Sequence, residues 1–286
     1  MTRHRRLARL AWAGAIALAL ASAALYVAYQ SDRRLLAQLA EQVDAGRLLT
    51  DEQRLVAYVD FTTHELRNPR FEEIESWPVR LYYHLNPLHP GPGDVLRWGS
   101  DYRGPCGSHA RVLVAMLQSR GMDVHPLLLL NQRGNSIHTV TEATIGGRPV
   151  VADGDFGIVF RRRDGALAGA MDLAADTTFF RAQVETIPGY PRQYNYDSTT
   201  ALNWRKIPVL LPAVHALLVK ILGPERVKEM RRPGIWMWPQ AFYSLACLML
   251  SICLAVLGWL LSRLGPTPGT VRHLHSKAPG QEHGRS

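Results

Sequence analysis

Cys106, His138 and Asp153 follow one another along the chain, and their types are those of thiol-based acyl transfer. In such chemistry a cysteine sulfur attacks, an imidazole moves the proton and a carboxylate orients the imidazole. Cys106 stands in Gly104-Pro105-Cys106-Gly107, directly ahead of a helix-like run. A thiolate at a helix start is favoured by free backbone N–H groups and by the positive end of the helix dipole. The flanking glycines let the backbone turn sharply and leave room for a substrate carbonyl.

Other roles for Cys106 compete with this one. A disulfide needs a partner, and the other two cysteines, Cys247 and Cys253, lie in a long apolar run near the C-terminus. Zinc is the weaker reading, because His84, His89 and His109 lack a ligand spacing and no second cysteine is near, so neither metal nor cofactor is expected. His109 and His125 read as ordinary structural histidines. Asp155 competes with Asp153 for the orienting position, since alternation along a strand would put both on one face.

These residues must be positioned by the elements around them. Residues 107–120 read as a helix with Val112, Leu113, Met116 and Leu117 on its buried side, stopped by Gly121. Strand-like runs follow at 122–130, 136–145 and 148–160, with Gly146-Gly147 a hairpin signal between the last two. His138 before that turn and Asp153 after it become neighbours across the ladder, given a bulge or register offset. Upstream, Ser31 to Leu66 is helical in pattern. It breaks at Gly46 and restarts at a capping box with Thr50 as N-cap and Gln53 reaching back. Residues 84–105 are rich in Pro and Gly and read as a long loop, in which Trp98 and Tyr102 could shape a site. The order of helices, loop, helix and antiparallel sheet is that of an α+β fold.

The run from about Asp51 to Asp155 resembles the core of the transglutaminase-like superfamily, which shares its helix-plus-sheet nucleus with papain-like cysteine proteases. The resemblance lies in Gly104-Pro105-Cys106, Ala110, Leu113 to Leu117, Gly121-Met122, His138 and Val151-Ala152-Asp153, in that order. Thr139-Val140 stand where an aromatic residue often follows the family histidine. The resemblance implies that Cys106 attacks a carboxamide, that His138 moves the proton and that Asp153 orients His138. An acyl-thioester would form and be resolved by water or by an amine. The expected partner is a peptide or protein substrate of the cell envelope. A second expectation, from a different class, is a catalytically inactive module of the same fold that acts as an accessory or scaffold in envelope or polysaccharide assembly.

The ends of the chain carry the remaining signal. Leu10–Ala28 and Gly234–Ser262 hold no charge, and about 20 apolar residues suffice to cross a hydrocarbon core. Trp236 and Trp238 read as anchors at the membrane–water interface. The formal net charge of +9 is concentrated in the tails: Arg3, Arg5, Arg6 and Arg9 precede the first apolar run with no acid. Arg263, Arg272, Lys277 and Arg285 follow the second, against Glu282 alone. The middle is nearly balanced, so the excess reports topology rather than nucleic-acid binding.

The expected organisation is a cytoplasmic tail and membrane helix over 1–29, an extracytoplasmic domain over 30–206, an amphipathic or interfacial helix over 207–233, a membrane helix over 234–262 and a disordered basic tail over 263–286. That places the protein in the cytoplasmic (inner) membrane. Two alternatives stand beside it: cleavage of a signal peptide at Ala21-Ser22-Ala23, and a third span over 207–222 that would turn the C-terminus outward.

Overall fold

The computed structural model describes residues 3–66, 91–99, 105–202, 211–228, 230, 231 and 233–264. Among them two helices are long and apolar enough to cross a membrane. The first, α1 (Arg3–Asp44), runs 42 residues without a break, although a separate helix from Ser31 was expected. No glycine or proline interrupts residues 15–44, so nothing stops the helix where its composition turns polar. The second long helix is α9 (Pro239–Arg263).

The chain divides into two compact units, residues 1–21 with 247–286, and residues 22–246. In the first unit the two helices run antiparallel through small residues. Ser251 Oγ donates to Ala15 O at 2.7 Å, and an added Cβ on Gly14 would meet Leu254 at 3.0 Å. Small residues of this kind allow close helix approach in lipid. Leu10, Ile16 and Leu20 on one helix, and Leu250, Ile252 and Leu257 on the other, are exposed.

The second unit is the α+β domain. α2 (Asp51–His64) begins at the expected capping box: Thr50 Oγ1 accepts from Gln53 N at 3.2 Å and Gln53 Oε1 accepts from Thr50 N at 3.0 Å. The α1–α2 corner is locked by Tyr58, whose hydroxyl donates to Asp44 Oδ1 at 2.9 Å. Part of the expected loop is helical, α3 (Pro92–Trp98), with a proline in its first turn. The residues 67–90 and 100–104 lie outside the described ones.

α4 (Pro105–Ser119) is the centre of the domain. One buried side was expected, yet Val112 through Leu117 are each at most 3% exposed. A helix buried all round needs cover on every side, and α2, α3 and the sheet supply it. The sheet consists of β1 (Val124–Leu130), β2 (Ser136–Ile145), β3 (Arg148–Asp153), β4 (Ile158–Val159) and β5 (Thr199–Thr200), antiparallel in the order β4-β3-β2-β1-β5. One face meets α4 through Val124, Ala143, Val150 and Ala152. The other carries Leu127, Leu129, Val140, Val151 and Phe160 and is covered by α5 (Ala170–Ala175), α6 (Thr177–Glu185) and tyrosines 190, 194 and 196.

α7 (Leu211–Leu222) and α8 (Pro224–Lys228) follow, and residues 207–210, where the expected helix begins, lie outside the described ones. A 3₁₀ turn, Gly234–Met237, then carries the chain into α9. That turn swings Met237 and Trp238 into the domain core. Trp238, expected as an interfacial anchor, is 8% exposed, and its ring meets Tyr29 edge-on at 5.4 Å. A buried polar cluster lies among the same helices. Asp32, fully buried, pairs with Arg97 and accepts from Gln240 Nε2 at 3.1 Å. Gly93 is needed there, because a Cβ would lie 2.3 Å from the Asp32 carboxylate.

Candidate functional site

The β2–β3 hairpin turns through Gly146 and Gly147, whose φ values of +57° and +75° are those of a type I′ turn. Its ladder ends at Thr141↔Ala152. Alternation then places His138 and Val140 on the same face as Val151 and Asp153, with His138 diagonal to Asp153. His138 Nε2 bonds Asp153 Oδ2 at 2.7 Å, and both side chains are fully buried. The expected irregularity in register falls between β1 and β2, at Leu129/Leu130, rather than in this hairpin.

The third strand-like run does not continue to residue 160. The chain turns at residues 154–157, and Asp153 itself makes that turn. Its Oδ1 accepts from the backbone N–H of Asp155 at 3.0 Å and of Phe156 at 3.3 Å. Gly154 packs so closely on α2 that an added Cβ would lie 2.8 Å from Thr62 Oγ1. Both Asp153 oxygens are therefore committed, one to the imidazole and one to backbone amides.

Cys106 enters from the first turn of α4 and is half-buried. Its Sγ, a ring nitrogen of His138 and a carboxylate oxygen of Asp155 lie within 4.8 Å of one another. With Nε2 bound to Asp153, Nδ1 is the nitrogen left to face the sulfur, and among the described residues it has no other hydrogen-bond partner. Burial by itself would lower the His138 pKa. The charge and hydrogen bond of Asp153, reinforced by Cys106, outweigh it and push His138 up to about 10. The imidazole is thus held protonated at neutral pH. Beside Cys106, a Cβ on Gly107 would meet no described residue within 4 Å.

Alternation fails to carry Asp155 onto the face of Asp153, because the strand ends before it. Asp155 instead stands beside Cys106 and near His109, whose Nδ1 is 3.2 Å from Asp155 Oδ1. Among the described residues, neither ring nitrogen of the buried His109 makes a hydrogen bond of ordinary geometry. His125 pairs with Glu142 at 3.4 Å. Burial, then Arg231, lower it to about 4. His84, His89 and Tyr102, and the Trp98 side chain, lie outside the described residues.

An aromatic wall was not anticipated. Tyr194 stacks on the His138 ring at 4.2 Å and 12°, and Phe156 meets it edge-on at 5.7 Å. Burial, then the electrostatic influence of Cys106, Asp155 and Asp153, push the Tyr194 phenol up to about 12. Tyr190 packs on Phe156 at 4.7 Å. The only signal in the sequence was the density of tyrosines between Tyr190 and Tyr196.

Comparison with known protein families, with curated proteins and with solved structures finds no match for this chain. Its chemistry is therefore read from the geometry of its own residues.

Proposed function

We propose that this protein is a membrane-anchored, transglutaminase-like cysteine enzyme that cleaves or exchanges an amide bond in a peptide or protein of the cell envelope. The observation that carries the reading is the arrangement of His138. Its Nε2 is held by Asp153 at 2.7 Å, and its Nδ1 is left for Cys106 at the start of α4.

The thiolate of Cys106 attacks the carboxamide carbon, and the S–C bond forms. His138 gives its Nδ1 proton to the departing amine as the C–N bond breaks, leaving an acyl-thioester and a neutral imidazole. Water or an amine then attacks, His138 takes its proton, and the S–C bond breaks to restore the thiolate–imidazolium pair. Asp153 keeps the ring in the tautomer and orientation that both halves require. The backbone N–H of Cys106, at the helix start, is a donor for the developing oxyanion.

The charges of the tails support one orientation of the anchor. Antiparallel α1 and α9 bring Arg3–Arg9 and Arg263 to one end, and the positive-inside rule puts that end in the cytoplasm. The domain then faces outward from the cytoplasmic membrane.

The test is acylation of Cys106 in native membranes. An Asp153→Asn chain, slowed in deacylation, is quenched in acid and its Cys106 peptide is weighed. A hydroxylamine-labile adduct, absent from Cys106→Ala, is expected. A Cys106 that never carries an acyl group, in this variant or in the wild type, would sink the enzyme reading and leave a non-catalytic envelope module.

A further inference from the structure

The groups facing Cys106 also make up a set of metal ligands. Cys106 Sγ, a ring nitrogen of His138 and an oxygen of Asp155 fall within 4.8 Å of one another. Thiolate, imidazole and carboxylate around one ion suit a borderline-soft divalent cation, with Zn²⁺ foremost. Ligands on a tetrahedral zinc stand roughly 3.3–3.8 Å apart, given bond lengths of about 2.0–2.3 Å. With present separations of at most 4.8 Å, closing the triangle takes a shift of roughly 1–1.5 Å at most.

Three features beyond proximity point the same way. His138 is 1% exposed, and among the described residues its buried Nδ1 has no hydrogen-bond partner besides the Cys106 sulfur it faces. Its Nε2 is bound to the Asp153 carboxylate at 2.7 Å, the outer contact that orients metal-bound histidines. Asp155 is backed in turn by His109 at 3.2 Å, so each of these two ligands has a buried group behind it. Asp153 cannot take the place of Asp155, because both its oxygens are engaged elsewhere. Cys106 and Asp155 are only partly buried, and a Cβ on Gly107 would meet no described residue within 4 Å. An ion held here keeps one position for water, as three-ligand zinc sites do.

We propose that Cys106, His138 and Asp155 bind one divalent cation of the zinc class, and that occupancy and acyl transfer exclude each other. The bound ion engages the sulfur and Nδ1, the two groups that acyl transfer needs. It acts as a reversible inhibitor, and its removal by a chelator releases the thiol. The inhibition rests on the reading of Cys106 as a nucleophile; the binding itself does not.

The test uses the full chain in detergent, stripped with EDTA and titrated first with Co²⁺. One equivalent is expected to produce a thiolate-to-cobalt charge-transfer band in the near ultraviolet, with Zn²⁺ displacing it. The band should be absent in Cys106→Ser, and Asp155→Asn should weaken cobalt binding about tenfold or more. Zn²⁺ should also protect Cys106 from iodoacetamide, read on its own peptide so that Cys247 and Cys253 are not counted. A wild-type chain without the band overturns the proposal, and that result depends on no variant. An Asp155→Asn chain that melts like the wild type and binds cobalt equally well overturns it too. If the reactivity of metal-free Cys106 is unaffected by His138→Ala while the wild-type chain still gives the band, the enzyme reading fails and the metal site stands.

Discussion

Asp153 does two things with one carboxylate: it holds the His138 ring and it shapes the turn that ends β3. The first has a pH signature. The folded-state pKa of His138 is raised from 6.5 to about 10. The stability this pair contributes is therefore fully present below pH 6.5 and lost as pH rises toward 10. Asp153→Asn should lower stability by about 3 kcal/mol near pH 6, the usual cost of breaking a buried pair. The gap in melting temperature to the wild type should narrow steadily toward pH 10, and a gap independent of pH would count against the pairing. Tyr194, stacked on the same ring, is a positioning residue. Tyr194→Phe should keep Cys106 reactivity within a factor of about two, whereas Tyr194→Leu should lower it while leaving the fold's melting curve in place, since only the aromatic face is needed. At this scale Cys106, His138 and Asp153 were legible, because each lies on a local element with its own pattern. Asp155 and Tyr194 were not, because a turn and a distant segment bring them to the site.

The elements were legible where a local signal sets them. The Thr50 capping box and the Gly146-Gly147 turn stand where their residues require. α3 was read as loop because its proline opens a helix rather than breaking one. The end of β3 was missed because the stop is made by a side chain, Asp153, and by the contact of Gly154 with α2. That contact can be tested. Gly154→Ala puts a Cβ 2.8 Å from Thr62 Oγ1 and 3.3 Å from Leu113 Cδ2. Overpacking of this kind costs about 1–3 kcal/mol, and it should slow Cys106 alkylation because it displaces the turn that holds Asp153. Gly146→Ala has no described residue within 4 Å of its Cβ but sits at φ +57°, so it should cost about 1–2 kcal/mol and leave the thiol's reactivity alone. If both variants changed reactivity equally, the 154–157 turn would not be what positions the site.

For the whole molecule, charge and apolar length in the tails foretold two long helices, while their use inside the domain was hidden. Leu36 and Ala40 from α1, and Met237 and Trp238 from the approach to α9, belong to the same core as α4. A fragment of residues 30–206 would lack Met237, Trp238 and Gln240. It should melt early or non-cooperatively, and a fragment as stable as the full chain would contradict that packing. Topology has its own check: alkaline phosphatase fused after Glu225 should be active and after Arg263 inactive, whereas activity after Arg263 would require a third span.

The most direct measurement is the rate at which iodoacetamide modifies Cys106 at neutral pH, followed on its own peptide in the full chain. The expected result is a wild-type rate at least about tenfold above free cysteine, falling to the free-thiol rate in His138→Ala, as for an activated nucleophile. A wild-type rate equal to free cysteine, unchanged by His138→Ala, would contradict the assignment of Cys106 and His138 as nucleophile and base.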